Sequence, residues 1–304
     1  MPGNDEKELS GRQKARRENL QALLDIVQPD KPMRIADVGA NPINVPDYTE
    51  LQHIGGCEVW GFEPAPEAFA ELEKNALPGS HFVQRAVGKP GKAKFYGHPQ
   101  SGLGSLFPID KAAVSFFGKA RWHEQQREGE ELKLVSLDSL SEKELPKPDM
   151  LKIDIQGGEL DVFRHGRKKL SRAVCVFSEV RFARIYENEP MWGDLDVELR
   201  GQGFSLHKMM FAKNVAVYHS QRHRTKGGKW RSQMLDGDAV YIRDPLTIAE
   251  WDDAQVKNLA IAAGGVFGSP DLTLFCLDEL VTRKLLPEDA PESYFNSLPR
   301  WMRT

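Results

Sequence analysis

Four acidic residues in this chain stand where an apolar run gives way to a polar turn. They are Asp37 in Arg34-Ile35-Ala36-Asp37-Val38-Gly39-Ala40-Asn41, Glu63 in Glu58-Val59-Trp60-Gly61-Phe62-Glu63, Asp154 in Met150-Leu151-Lys152-Ile153-Asp154, and Glu179 in the run Ala173 to Val180. Each run reads as a parallel strand buried on both faces. In a doubly wound sheet, ligands bind outside the carboxyl ends of the strands, so these acids belong to one rim. Gly39 lets the backbone come close to a ligand, and Asp37 can accept hydrogen bonds there. Glu63 lies 24 residues after Gly39. An acid about 20 residues past the glycine turn of a dinucleotide-binding sheet takes the ribose diol, because one carboxylate accepts from both hydroxyls. The alternative use of Glu63 is to cap the helix that follows it.

The elements that must position these acids follow from apolar periodicity. Leu20, Leu23, Leu24 and Val27 fall at helical spacing, and Pro29 and Pro32 end that helix before the first strand. A helix with Ala68, Phe69, Leu72 and Leu77 follows Pro64 and Pro66, and His81 to Gly88 reads as a third strand with its exit. Lys92–Tyr96 and Leu132–Leu137 read as further strands, and 111–131 carries scattered aromatics among charges without a legible period. A helix with Leu160, Phe163 and Leu170 follows Asp154. Strands alternating with helices call for an α/β fold with a parallel sheet. Phe204–Met210, Val215–Tyr218 and Ala239–Ile242 are the last strands expected, the latter two as an antiparallel pair. Ile248 to Leu285 reads as helical pieces broken at Gly264-Gly265. The expected organisation is a helical segment over 1–32, a main domain over 33–245 and a helical extension over 246–304.

Composition narrows the classes. The 304 residues are 40% hydrophobic and 28% charged with net charge −3, which fits a globular protein and gives no global argument for nucleic acid. No apolar run approaches the roughly 18 residues of a membrane span, and the first residues, with Asp5 to Glu8, lack the apolar core of a secretion signal. A cytoplasmic location is the expectation. Cys57, Cys175 and Cys276 are far apart and form neither a disulfide framework nor a zinc motif. Two segments remain for an acceptor. Ser101-Gly102-Leu103-Gly104-Ser105-Leu106 is a small-residue loop able to close over a ligand or simply to connect. His219 to Arg231 is a basic stretch that could grip an anionic acceptor or stand as a solvated hairpin loop.

Taken together, Ile35 to Asn41, Gly61-Phe62-Glu63-Pro64, Leu137-Asp138-Ser139-Leu140 and above all Leu151 to Leu160 resemble the FkbM family of S-adenosylmethionine-dependent methyltransferases, with an echo at Gly237 to Arg243. The resemblance spans about 33–244. It implies a Rossmann-like class I methyltransferase sheet, mostly parallel with seven strands of which one is antiparallel, and helical additions at both ends. It implies methylation of a hydroxyl on a sugar, glycoconjugate or polyketide-type product, hence a small-molecule or glycan acceptor. By matching position, Asp37, Gly39 and Asn41 would contact the methionine and ribose parts of the cofactor, Glu63 the ribose diol, and Gln84 and Ala86 the adenine. Asp154 would border the cofactor and serve as catalytic base beside the acceptor oxygen. Glu179 would orient the acceptor or share a divalent cation such as Mg²⁺ with Asp154. His98, His123, His207 and His219 are alternative bases. The chain departs from the family at Pro42-Ile43-Asn44-Val45-Pro46, where members more often run straight into a helix. Two other readings remain. One is an NAD-dependent oxidoreductase, against which stands the single glycine of the first turn. The other is a non-catalytic binding module on the same fold.

Overall fold

The computed structural model describes residues 11–42, 45–226 and 229–303. Asp5 to Glu8, Ile43 and Asn44 of the first turn, and Gly227-Gly228 of the basic stretch lie outside the described residues. In chain order the strands are β1 Met33–Val38, β2 Cys57–Phe62, β3 Ser80–Val83, β4 Ala86–Val87, β5 Gly91–Phe95, β6 Glu130–Val135, β7 Met150–Ile153, β8 Cys175–Arg181, β9 Phe204–Val215 and β10 Gln233–Arg243. The helices are α1 Gly11–Val27, α2 Thr49–His53, α3 Pro66–Lys74, α4 Lys111–Phe116, α5 Ala120–Gln125, α6 Glu159–Arg164, α7 Trp192–Gly201, α8 Asp253–Gly265, α9 Pro270–Thr282 and α10 Ala290–Ser297.

Seven strands form one sheet in the order β3-β2-β1-β7-β8-β10-β9. Strands β1, β2, β3, β7 and β8 run parallel, and β10 is antiparallel to both of its neighbours. Strand order reverses between β1 and β7, so the crevice above their carboxyl ends is the expected ligand position. The short apolar runs are continuous because both faces are covered. Ile35, Val59, Met150, Cys175 and Phe177 face a core that also holds Leu20 and Leu23 of α1 and Leu259, Ile261 and Leu277 of α8 and α9. Ala36, Val38, Leu151, Ile153 and Val176 face the opposite core with Phe163 of α6 and Leu199 of α7. Helix α8 is apolar around most of its circumference and accordingly buried, and it begins at a capping box formed by Asp252 and Gln255. Pro270 at the start of α9 fits the first turn, where a missing N–H costs nothing.

The outer parts differ from the sequence expectation in three places. The third strand ends at Val83, and Ala86-Val87 turns away to join a separate sheet of order β4-β6-β5. The Lys92 and Leu132 strands thus build an added layer rather than extending the main sheet. Residues 111–125 form two six-residue helices, too short to display a period. Phe204 runs as one strand through Val215, and 216–218 leaves the sheet because the Tyr218 N–H donates to the Phe116 carbonyl at 2.7 Å.

Candidate active site

The turn after β1 hooks onto β2, with the Gly39 and Ala40 N–H groups both donating to the Phe62 carbonyl at 3.1 Å. Gly39 has φ +86°, and a Cβ built there would stand 2.2 Å from the Asp154 carbonyl oxygen. Only glycine allows the β1 and β7 exits to close up in this way. Above them lies a cavity of about 340 Å³. Gly39, Asn41, Asp47, Lys152, Asp154 and Asp238 give it its polar character, and Met150, Phe177 and Val266 form apolar wall.

Asp37 sits under this cavity rather than on its surface, being only 1% exposed. Its Oδ1 accepts from Lys152 Nζ at 2.9 Å and its Oδ2 from the Tyr48 hydroxyl at 2.5 Å. Burial and the adjacent Asp37 charge hold the Tyr48 phenol well above its ordinary pKa, so it remains a donor. Burial alone would lower Lys152, but the charges of Asp37, Asp154 and Asp238 outweigh it and raise its pKa. Lys152 also acts on Asp47, whose pKa is raised by burial against the pull of Arg16 and Lys152. Four carboxylates therefore surround one ammonium.

Glu63 closes β2 and is 9% exposed. Its Oε1 accepts from the Ala65 N–H at 2.7 Å, at the start of α3, and burial raises its pKa against that bond. Gln84 is exposed just past β3, whereas Ala86 is buried in β4.

Asp154 and Glu179 are brought together by a residue between them. Gln156 Nε2 donates to Asp154 Oδ1 and to Glu179 Oε2, each at 2.8 Å. Gln156 has φ +58°, and its Oε1 accepts from Arg181 Nη2 at 3.1 Å and from the Tyr186 hydroxyl at 3.3 Å. Arg181, 5% exposed, pairs with Glu179, Glu189 and Asp236. Burial holds Glu179 well above the ordinary carboxylate range despite Arg181. Asp154, Glu159 and Glu179 place one oxygen each within 4.8 Å of the others. Glu159, however, accepts from the Ile155 and Gly157 N–H groups, and Gln156 holds the other two. The trio is braced by protein donors, so its chemistry does not fit a cation. The Ser101–Leu106 loop is fastened to the same turn, Ser105 Oγ donating to the Gln156 carbonyl at 2.6 Å.

Asp238 is the residue the strand-end pattern missed. It stands in the middle of β10, opposite Glu179 on the neighbouring strand, and faces the cavity. Burial and Asp154 push its pKa up to about 6, with Lys152 opposing. Among the described residues no hydrogen-bond donor reaches its carboxylate and no histidine lines the cavity. His98 accepts from the Gln100 N–H, and His207 engages Ser269 Oγ.

The strand order, the glycine turn after β1 and the acid closing β2 define a Rossmann-like methyltransferase sheet of class I. The profile of the FkbM methyltransferase domain matches residues 37–206, more than half of the chain. The chain belongs to this family and is an S-adenosylmethionine-dependent methyltransferase. Solved structures it is similar to include magnesium protoporphyrin IX methyltransferase (ChlM) from Synechocystis PCC 6803, with bound SAM, at 10% identity over 76% of this chain and 81% of that one, TM-score 0.36. Others are the METTL16 methyltransferase domain, at 13% identity over 76% and 68%, TM-score 0.33, and NSun6 from Pyrococcus horikoshii with SFG, at 12% over 74% and 51%, TM-score 0.31. No curated protein matches the chain. Among the described residues, no helix is long and apolar enough to cross a membrane.

Proposed function

We propose that this protein transfers a methyl group from S-adenosylmethionine to a hydroxyl oxygen of a small-molecule or glycan acceptor. The observation that carries this reading is the charge of the cavity. Asp37, Asp47, Asp154 and Asp238 outnumber Lys152 and the Arg16 that acts on Asp47, so the site has an excess of negative charge. Such a site favours a cationic centre and disfavours the diphosphate of a nicotinamide dinucleotide. When bound, S-adenosylmethionine supplies an activated methyl on a cationic sulfur.

The backbone at Gly39 and the side chain of Asn41 border that ligand, Glu63 offers its carboxylate to the ribose diol, and Gln84 and Ala86 flank the adenine. Asp37 acts from below by holding Lys152 and Tyr48 in place. The chain's main task is to align the acceptor oxygen, which is worth much of the barrier in a two-substrate reaction. Asp154 and Asp238 both line the cavity, at the end this reading gives to the acceptor. Asp154 is tied to Gln156 and serves to orient the hydroxyl, with Glu179 fixing Gln156 from behind. Asp238, whose pKa burial raises and which no protein donor holds, takes the proton as positive charge develops on the attacking oxygen. A sugar or polyketide-type hydroxyl suits this carboxylate-rich pocket, whose acids can accept from neighbouring hydroxyls.

Calorimetry with S-adenosylmethionine, S-adenosylhomocysteine and NAD⁺ in parallel tests the reading. The first two should bind and NAD⁺ should not. Binding of NAD⁺ alone overturns it.

A further inference from the structure

The basic stretch between β9 and β10 is not a free hairpin. Arg222 Nη1 donates to the Phe117 carbonyl at 3.1 Å, and the Tyr218 N–H holds the Phe116 carbonyl. The His219 and Trp230 rings face one another at 6.1 Å. The loop is thus seated on the C-terminal end of α4, and the chain just before α4 is bridged to the active-site loops, since Ile109 pairs with Tyr186 and Tyr186 reaches Gln156.

Its chemistry is one-sided. From Ala216 to Gln233 there is no acid, while Arg222, Arg224, Lys226, Lys229 and Arg231 are all cationic. Among the described residues none of these five pairs with a carboxylate, although the chain as a whole carries net charge −3. Tyr218 and Trp230 are 61% and 59% exposed beside them. Exposed aromatics among cations that hold no carboxylate suit a phosphate-bearing ligand with a flat or ring-shaped part.

Its position is equally specific. Strand β10 runs antiparallel to β8, so the chain before Asp236 projects past the carboxyl edge where the cavity opens. Gln233 lies five residues from Asp238, roughly 17 Å along an extended strand. The acidic cavity and the basic loop therefore lie within reach of one another along β10.

We infer that Tyr218, Arg224, Lys226, Lys229, Trp230 and Arg231 form a phosphate-binding arm for the methyl acceptor, which is accordingly a diphosphate- or phosphate-bearing compound whose charged group stands remote from the methylated hydroxyl. This rests on the methyltransferase reading above. The acid-rich cavity takes the uncharged hydroxyl end, and the loop takes the anion that the cavity would repel.

The test uses the full chain and the triple variant Arg224→Glu/Lys226→Glu/Arg231→Glu, which spares the anchoring Arg222. Binding of inorganic pyrophosphate, of UDP and of a ten-nucleotide single-stranded RNA is followed by tryptophan quenching at low and at physiological salt, and S-adenosylhomocysteine is titrated by calorimetry. Wild type should bind pyrophosphate and UDP with steep salt dependence. The variant should bind both at least tenfold more weakly while keeping its S-adenosylhomocysteine affinity. Equal pyrophosphate affinity in the two proteins overturns the inference. RNA bound more than tenfold tighter than UDP also overturns it, assigning the loop to nucleic acid. If S-adenosylhomocysteine binds neither protein, the methyl-donor reading fails and the loop result stands on its own.

Discussion

Replacing Asp238 by Asn should lower activity and raise stability at once. Burial and the nearby Asp154 charge push the Asp238 pKa up to about 6, against the attraction of Lys152. An unfolded chain has this carboxyl near 3.8. The folded state therefore binds the proton more tightly, and the group's contribution to stability is lost as pH rises from about 4 to about 6. At pH 7 the charged carboxylate costs at most about 3 kcal/mol from two pKa units, and solvent reaching the cavity reduces this to about 1–2 kcal/mol. Asp238→Asn removes that cost, so thermal unfolding should move up by a few degrees. Methyl transfer should fall by about 10²–10⁴, the usual worth of a positioned base. The pH profile adds a third readout. With a pKa of about 6, wild-type activity should drop about tenfold per unit below pH 6, and the variant should lack that limb. Activity near wild type at pH 7, or an intact acid limb in the variant, refutes Asp238 as the proton acceptor. A lower melting temperature refutes the cost assigned to its charge.

Glu63→Ala should weaken S-adenosylhomocysteine binding by about 1.5–3 kcal/mol with little change in unfolding, whereas an unchanged Kd would leave Glu63 only its bond to Ala65. Lys152→Met strips the ion pair from a carboxylate that is 1% exposed and should cost about 3–5 kcal/mol in urea unfolding, most of it recovered in Lys152→Met/Asp37→Asn. Asp154→Asn should slow methyl transfer less than Asp238→Asn does, and a larger loss would exchange their roles. A chelator should leave wild-type activity unchanged because Gln156 and backbone N–H groups already hold the acidic trio, while loss restored by Mg²⁺ would place a cation there.

The framework was legible because its signals are local. An apolar run ending in an acid marks β1, β2 and β7, a glycine turn follows β1 and β7, and their separation marks the sheet. What escaped depends on residues distant in the chain. That Asp37 is shut beneath the cavity follows from Lys152, 115 residues away. Lys152 itself reads as an ordinary polar interruption of a strand, although alternation places it on the same face as Phe177 and the cavity. Asp238 enters the site from the middle of the antiparallel strand, where the rule of acids at carboxyl ends cannot find it. The anchoring of the basic loop was hidden for another reason. Its partner is the end of a six-residue helix, and such a helix leaves no periodic trace.

The packing of α1 against α8 has a consequence for the order in which the protein is made. One face of the main sheet is clad jointly by Leu20, Leu23 and Val27 from the first helix and by residues from Val256 to Leu280 of α8 and α9. Arg16 reaches across to the Gly265 carbonyl at 3.3 Å. A ribosome delivers α1 first and must then synthesise the whole sheet before α8 and α9 arrive. Until they do, Ile35, Met150 and Phe177 present apolar surface with only half a cover, the kind of surface that draws chaperones. Val266, which lines the cavity, belongs to the same late segment. The nascent chain can pair its parallel strands early, yet its catalytic pocket gains its last wall only when translation has passed α8, so catalytic competence waits on that later segment.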